Sequence, residues 1–226
     1  MAKKEKIFTV GWDCDGVLLN SHEPVLIRAK EELRRILGRD IQIEKSDLTS
    51  WNALHDLVLA LTGNPDITND INQYWFTPSI LRLSPVNQAA IEVFRRCREL
   101  PNVRQRIITT RTPVCRQCTQ DSLEPFLPGF NWQKNFHIRT ESCQLSGDEF
   151  KIKQLRLHRI QLMNEDNSAT VSSIQAELPN CRIIYFSQPW NSQDKDPSRF
   201  LLRVDPYNPD NIFERILEAR ENFLSK

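Results

Sequence analysis

The sequence lacks three features that would point directly to a functional class. Its 30 basic and 29 acidic residues leave a net charge of only +1, so no charge excess favours tight binding to nucleic acid or to a membrane surface. No apolar run approaches the roughly 20 residues that a helix needs to cross a bilayer. Internal repeats and low-complexity tracts are also absent. With 226 residues, the chain is long enough for one α/β domain and a small accessory unit.

A secretion signal is not apparent either. Lys3, Lys4 and Lys6 precede an apolar stretch, as in a signal peptide, but this stretch contains Asp13 and Asp15. The hydrophobic region of a signal peptide does not tolerate two carboxylates. We therefore expect a cytoplasmic protein with free thiols, either a monomer or a homodimer.

The six cysteines include one C-x-x-C pair, Cys115 and Cys118. A zinc site would need a second pair, or a Cys/His pair at ligand spacing, and the sequence has neither. A redox motif normally follows the first strand of a thioredoxin-like unit, whereas this pair lies in the middle of the chain after Pro113. The interpretation we favour is two thiols in the first turn of a helix.

Short apolar runs alternate with helical patterns along the chain. The runs typical of buried strands are Ile7–Trp12, Arg106–Thr109, Phe136–Ile138, Ile160–Met163, Arg182–Phe186 and Leu201–Val204. Amphipathic patterns predict a helix starting at Ser84–Pro85, others over Arg116–Phe126, Lys151–His158 and Ala169–Leu178, and a last one over Asn211–Leu224 capped by Asp210. Strands that alternate with helices are typical of a parallel sheet covered on both faces. The predicted fold class is therefore α/β, a three-layer, Rossmann-like parallel sheet core.

Residues 18–80, called the insertion below, contain amphipathic helical patterns and no convincing strand. The first predicted helix has Ser21 as its cap and ends at Gly38. We predict that the insertion forms a small helical cap placed after the first strand, and that residues 1–17 and 81–226 form the core.

Aromatic and histidine side chains in the insertion allow two interpretations. Trp51, Tyr74, Trp75 and Phe76 could stack on a substrate, but aromatic residues at helical spacing more often form a core, which we favour. The histidines show no ligand spacing. His22 lies near the start of the insertion, close enough to approach a substrate, but we expect it on the surface.

Three predicted strands end in polar side chains: Asp13 and Asp15 after the first, Thr109–Arg111 after the second, and Glu165–Asp166 after the fourth. In open parallel sheets, ligands bind outside the carboxyl ends of the strands. Two carboxylates at positions i and i+2 of an extended chain point to the same side, and their repulsion raises the pKa of one of them. Such a pair suits one ionised nucleophile and one proton donor.

The same group of residues can hold a cation and a phosphate. Gly16 allows a sharp turn, so that backbone amides can approach a phosphate. Thr109 offers a hydroxyl to a phosphoryl oxygen, and a lysine could neutralise the charge that develops there. Three or four converging carboxylates are plausible ligands for Mg²⁺.

These residues resemble the motifs of the haloacid dehalogenase superfamily. The run Asp13–Leu19 is similar to its first motif, Ile107–Arg111 to its second, and Asn164–Asn167 to its fourth. The third motif is a single lysine, for which Lys151 fits best, with Lys153 as the alternative.

The resemblance implies a mechanism. Asp13 would attack phosphorus and form an aspartyl-phosphate, and Asp15 would serve as the acid and then the base. The resemblance implies Thr109 and Lys151 as further catalytic residues, Gly16, Thr110 and Arg111 as substrate contacts, and Asp13, the Asp15 backbone carbonyl, Asp166 and Glu165 as ligands of Mg²⁺. The expected substrate is a small phosphoester.

Softer similarities link the chain to the 5'(3')-deoxyribonucleotidases. They cover Leu48–Asn52, Pro78–Leu83 and Gln188–Asn191, whereas Val86–Asn87 and Asn20 depart from that pattern. A nucleoside monophosphate is therefore one candidate substrate. A sugar-phosphate mutase and a non-catalytic binding protein with the same fold are the alternatives.

Overall fold

The computed structural model describes residues 5–194 and 201–225. Within them, six strands form one sheet in the order β3-β2-β1-β4-β5-β6, with every neighbouring pair parallel. The strands are β1 Phe8–Trp12, β2 Val103–Thr109, β3 Phe136–Ile138, β4 Leu162–Glu165, β5 Arg182–Phe186 and β6 Leu201–Val204. The predicted parallel sheet is confirmed. Strand β4 lies two residues later than predicted, so Glu165 is its last residue.

Helices follow the strands and enclose the sheet. The α-helices of the described residues are α1 His22–Leu37, α2 Ala53–Thr62, α3 Pro65–Asn72, α4 Pro78–Leu81, α5 Gln88–Glu99, α6 Arg116–Leu123, α7 Trp132–Asn135, α8 Gly147–Leu157, α9 Ser168–Glu177 and α10 Pro209–Leu224. Helices α5 and α10 pack on one face of the sheet through Phe94 and Ile216. Helices α8 and α9 pack on the other face through Leu155 and Ile174. This three-layer arrangement was expected because strands alternate with helices along the chain.

Three predicted helix starts are wrong. Helix α8 begins at Gly147 rather than at Lys151, because the Ser146 side chain accepts from the Glu149 N–H and caps the helix there. The other two helices are α5 and α10. Helix α5 begins at Gln88 rather than at Ser84–Pro85, because Asn20 donates its backbone N–H to the Pro85 carbonyl and the Asn87 side chain then caps the helix. Helix α10 is capped by Asn208, which accepts a hydrogen bond from the Asn211 N–H, and not by Asp210. In both cases an asparagine satisfies an amide that the helix leaves without a partner.

The insertion contains α1, α2, α3 and most of α4, and none of its residues, all of which are described, belongs to a strand of the sheet. Its apolar side chains form a cluster of their own, which includes Leu33 and Val58 and extends to Cys115 and Cys118 at the start of α6. Because α6, which belongs to the predicted core, packs into this cluster, the division into core and cap stays a prediction. Gly38 ends α1 with a φ of 67° as predicted. Across the described residues, no helix combines the length and the apolar character that crossing a membrane would require.

Candidate active site

A cavity of about 380 Å³ lies at the carboxyl edge of the sheet, facing the insertion. The residues that follow four neighbouring strands contribute to it: Asp13 after β1, Thr110 after β2, Arg139 after β3 and Asp166 after β4. The Asp13 N–H donates to the Asn164 carbonyl over 3.1 Å, which holds the ends of β1 and β4 together. Parallel pairing thus gathers side chains that are up to 153 positions apart in the chain.

Lys151 is the buried cation beside the acidic cluster. Its Nζ lies 2.6 Å from Glu165 Oε2 and 3.1 Å from Asp13 Oδ1, and only 1% of the residue is exposed. Burial lowers the pKa of Lys151, but the two carboxylates outweigh it and raise the pKa above its usual value, so the ammonium stays charged. Lys153 is exposed. Of the two predicted lysines, the structure brings Lys151 to the carboxylates.

Asp166 packs directly against Gly16. A β-carbon built on Gly16 would lie 2.0 Å from Asp166 Oδ2, and Gly16 has a φ of +71°. The Gly16 N–H donates to the Leu19 carbonyl, so it does not face a phosphate as expected. Gly16 instead leaves the space that Asp166 occupies.

The acidic cluster fits a divalent cation. Ligand atoms of Asp13, Glu165 and Asp166 lie within 4.8 Å of one another. Glu165 already accepts from Lys151 through Oε2 and from the Asp166 and Asn167 amides through Oε1. Asp166 Oδ1, in contrast, is buried without a hydrogen-bond partner among the described residues. Oxygen donors of this kind suit Mg²⁺, with Asp13 and Asp166 as the available ligands and Glu165 as the group that positions Lys151.

The pKa values support the need for a cation. Burial, with the nearby Glu165 and Asp15 carboxylates, raises the pKa of Asp13 to about 8 against the opposing effect of Lys151. Burial, with Glu165 and Asp13, also raises the pKa of Asp166 well above its usual value. One lysine does not balance three buried carboxylates. A divalent cation would lower both pKa values and leave Asp13 ionised.

Asp15 is held by a buried arginine. The Arg111 Nη2 and Nε lie 2.6 and 3.0 Å from Asp15 Oδ1 and Oδ2, and Ser21 Oγ also donates to Asp15. Although burial raises the pKa of Asp15, the charge and hydrogen bonds of Arg111 and the Ser21 hydroxyl keep it below its usual value. Asp15 is thus in its base form. Ser21, expected to cap α1, makes no cap hydrogen bond and serves this carboxylate instead.

The two threonines at the end of β2 have different environments. Thr109 is 1% exposed, and its hydroxyl accepts from the Arg111 backbone N–H over 3.3 Å. Successive residues of an extended chain point to opposite sides, so Thr110 lies in the cavity lining and Thr109 does not. Arg111, predicted to contact substrate, lines the cavity and donates to Asp15, Ser21 and Thr119.

Several cavity residues of the insertion differ from expectation. His22 is only 2% exposed, and neither ring nitrogen has a partner among the described residues. Burial, together with Lys45, lowers the pKa of His22 to about 3, so the imidazole is neutral. Trp51 and Trp75 also line the cavity, with ring centres 6.4 Å apart and planes 25° apart. Tyr74 and Trp75 pack against the insertion cluster as predicted, whereas Phe76 is 46% exposed and lines the cavity.

Two further elements complete the site. Trp190 lines the cavity and donates from Nε1 to Asp166 Oδ2 over 3.1 Å, and Gln188 donates to the Gly16 carbonyl over 2.7 Å. The similarity of Gln188–Asn191 to nucleotidases was the one signal for this segment. Arg139 also lines the cavity, and its Nε is buried without a hydrogen-bond partner in the described part of the chain. Its place directly after β3 could have indicated it.

Comparison with known proteins identifies the fold. No protein-family model and no curated protein matches the sequence. Solved structures do match along nearly the full chain. They include a predicted phosphatase from Clostridium acetobutylicum (16% identity, TM-score 0.64, 95% of this chain and 100% of that chain). A haloacid dehalogenase-like hydrolase from Streptococcus pneumoniae (12% identity, TM-score 0.59, 96% and 98%) also matches, as does a haloacid dehalogenase-type hydrolase from Entamoeba histolytica (14% identity, TM-score 0.61, 93% and 100%). The chain therefore has the haloacid dehalogenase-type fold.

Proposed function

We propose that this protein is a Mg²⁺-dependent phosphomonoesterase that hydrolyses a small phosphorylated metabolite through an aspartyl-phosphate on Asp13. The observation that carries the proposal is the buried Lys151 beside Asp13, Glu165 and Asp166 at the carboxyl edge of this fold. The hydrolases and the phosphatase among its structural neighbours support the same class of reaction. Buried ion pairs often contribute no more stability than apolar side chains would, so stability alone does not account for this cluster and a chemical role is favoured.

In the first step, an oxygen of Asp13 attacks phosphorus and displaces the leaving oxygen. Lys151 and Thr110 face the phosphoryl group and stabilise the charge that develops on its oxygens. Mg²⁺, held by Asp13 and Asp166, would supply positive charge at the same place. Asp166 is itself fixed by Trp190.

Asp15 moves the protons of both steps. It protonates the leaving oxygen in the first step and accepts a proton from water in the second. Arg111 and Ser21 hold Asp15 as a carboxylate, which is the form needed in the second step. The phosphate dianion of a bound substrate brings negative charge and raises the pKa of Asp15, so substrate binding favours the protonated form needed in the first step.

The side chains of the insertion favour a nucleoside monophosphate as the substrate. Trp51 is 56% exposed although it is large and apolar, and it stacks beside Trp75 at the cavity. The neutral His22 offers one donor and one acceptor 5.6 Å from the Trp190 ring. A planar, apolar group with polar edges fits such a lining. The size of the cavity favours a small molecule over a nucleic acid strand, and we expect the protein to act in the cytoplasm.

A substrate panel tests this proposal. Magnesium-dependent release of phosphate from p-nitrophenyl phosphate, nucleoside monophosphates and sugar phosphates is measured for the native chain and for Asp13→Asn. We expect turnover by the native chain alone. Equal turnover by both proteins would refute the role of Asp13, and an isomerised sugar phosphate without free phosphate would identify a mutase. Turnover of no substrate, with Mg²⁺ binding retained, would favour a binding protein.

The nucleoside part is tested separately with Trp51→Ala. We expect a higher KM for a nucleoside monophosphate and little change for ribose 5-phosphate, because only the former has a base to stack. Leu83→Ala is the matched control, since Leu83 is 70% exposed and lies outside the cavity lining. Equal effects of both variants on both substrates would refute the stacking role.

A further inference from the structure

Cys115 and Cys118 are close enough to react with each other. Cys118 lies in the first turn of α6, and Cys115 is the residue immediately before this helix. Residues i and i+3 of a helix have Cα atoms about 5 Å apart, within the range that a disulfide spans. The Cys118 thiol donates to the Cys115 carbonyl over 3.2 Å, and it can donate to Cys115 Sγ once Cys115 is ionised. Both are free in the structure, which is thus the reduced form.

The environment of Cys115 favours its thiolate. The hydrogen bond from Cys118, followed by that from Thr112, outweighs burial and lowers the pKa of Cys115 to about 6. The thiolate is the reactive form of cysteine. Burial has the opposite effect elsewhere and raises the pKa of Cys97 and of Cys181 to about 12. Among the described thiols, Cys115 therefore combines a close partner with a favoured thiolate.

The cysteine pair is connected to Asp15 through hydrogen bonds. Thr119 Oγ1 donates to the Cys115 carbonyl over 2.7 Å and accepts from Arg111 Nη1 over 2.8 Å. Arg111 in turn holds Asp15. A rearrangement of the first turn of α6 thus reaches the residue proposed to move protons.

The pair also contacts the insertion. Cys115 Sγ lies 3.5 Å from the Phe76 carbonyl oxygen, to which its thiol donates. Phe76 lines the cavity. Neither a thiolate nor a disulfide has a proton to donate, so this contact between Cys115 and the insertion depends on the ionisation and oxidation state of Cys115.

We propose that Cys115 and Cys118 are a site of reversible oxidation, at which an intramolecular disulfide lowers the activity of the adjoining site. The oxidant is a peroxide. The Cys115 thiolate attacks one peroxide oxygen, the O–O bond breaks, and the released hydroxide takes up a proton to leave as water. Cys118 sulfur then attacks the resulting sulfenic acid, the S–S bond forms, and the S–O bond breaks to release a second water. Two thiols and one hydrogen peroxide thus yield one disulfide and two waters. The effect on activity rests on the proposed phosphatase function, whereas disulfide formation does not.

The test treats the full chain with hydrogen peroxide, alkylates the remaining thiols and maps the peptides. Trypsin cleaves after Arg116, between the two cysteines, so an internal disulfide leaves peptides 112–116 and 117–134 joined until they are reduced. We expect this joined pair, together with a loss of activity of about tenfold or more that dithiothreitol reverses. Cys118→Ser should resist the reversible loss, whereas Cys143→Ser, which alters a cysteine outside the pair, should behave like the native chain.

Two results would overturn the proposal. One is alkylation of both Cys115 and Cys118 after peroxide treatment that oxidises Cys143. The other is formation of the joined peptides with unchanged turnover. A reduced chain without phosphatase activity would count against the proposed function alone, because the peptide map still shows whether the disulfide forms.

Discussion

The contact between Gly16 and Asp166 leads to a sharp prediction for Gly16→Ala. The new β-carbon would lie 2.0 Å from Asp166 Oδ2, and ordinary contact begins at 3.4 Å. Asp166 or the turn would therefore move by about 1.4 Å. Because a displacement of about 1 Å at a reacting geometry can cost about 100-fold in rate, we expect kcat to fall by about that factor. The Mg²⁺ concentration for half-maximal activity should rise as well.

The assay must separate this clash from backbone strain. Gly63→Ala is the matched control, since Gly63 has a φ of +61° and nothing lies within 4 Å of its added β-carbon. Both variants should lose about 1–2 kcal/mol of unfolding free energy from the left-handed backbone, measured by urea denaturation. Only Gly16→Ala should lose activity on p-nitrophenyl phosphate. The reasoning is refuted if Gly16→Ala has the same kcat and the same Mg²⁺ dependence as Gly63→Ala.

Three further predictions concern the charged groups of the site. Lys151→Ala should lower kcat by about 100- to 1000-fold, whereas Lys153→Ala should leave kcat unchanged; equal losses would contradict the assignment of the lysine. Arg111→Met should lower the free energy of unfolding by about 3–5 kcal/mol because it leaves Asp15 without its buried partner. Arg28→Met removes an exposed ion pair with Glu31 and should change this free energy little, so similar urea midpoints for the two variants would refute the argument. Finally, the pKa of Asp13 is raised from 3.8 to about 8, so the stability that Asp13 contributes without metal is complete below pH 3.8 and is lost as the pH rises through about 8. Mg²⁺ should therefore raise Tm more above this pH than at mildly acidic pH, and a pH-independent rise would count against Asp13 as a ligand.

The sequence predicted well what short patterns encode. Each strand contains a short apolar run, Asp13 directly follows β1, and Asp166 directly follows β4, so their meeting at the carboxyl edge follows from parallel pairing. Lys151 could be found because it lies on the helix that directly precedes the fourth strand.

What the sequence did not predict depends on distant partners. Asp15 and Arg111 are 96 positions apart, and only their packing shows that Arg111, which lines the cavity, also binds this carboxylate. Whether Thr109 or Thr110 lines the cavity depends on the residue at which β2 ends, and a shift of one position would exchange them. His22 was expected on the surface, but Trp190, 168 positions away, packs against it. Local propensity contains none of this information.

The aspartyl-phosphate on Asp13 is the central claim, and trapping it is the most direct test. The chain is mixed with Mg²⁺ and a substrate, quenched in acid during turnover, reduced with borohydride and mapped by mass spectrometry. Reduction converts an acyl phosphate to an alcohol, so we predict homoserine at position 13 in the native chain only when substrate is present. An enzyme that turns over substrate and yields unmodified Asp13, or homoserine at Asp15 or Asp166 instead, would contradict the account.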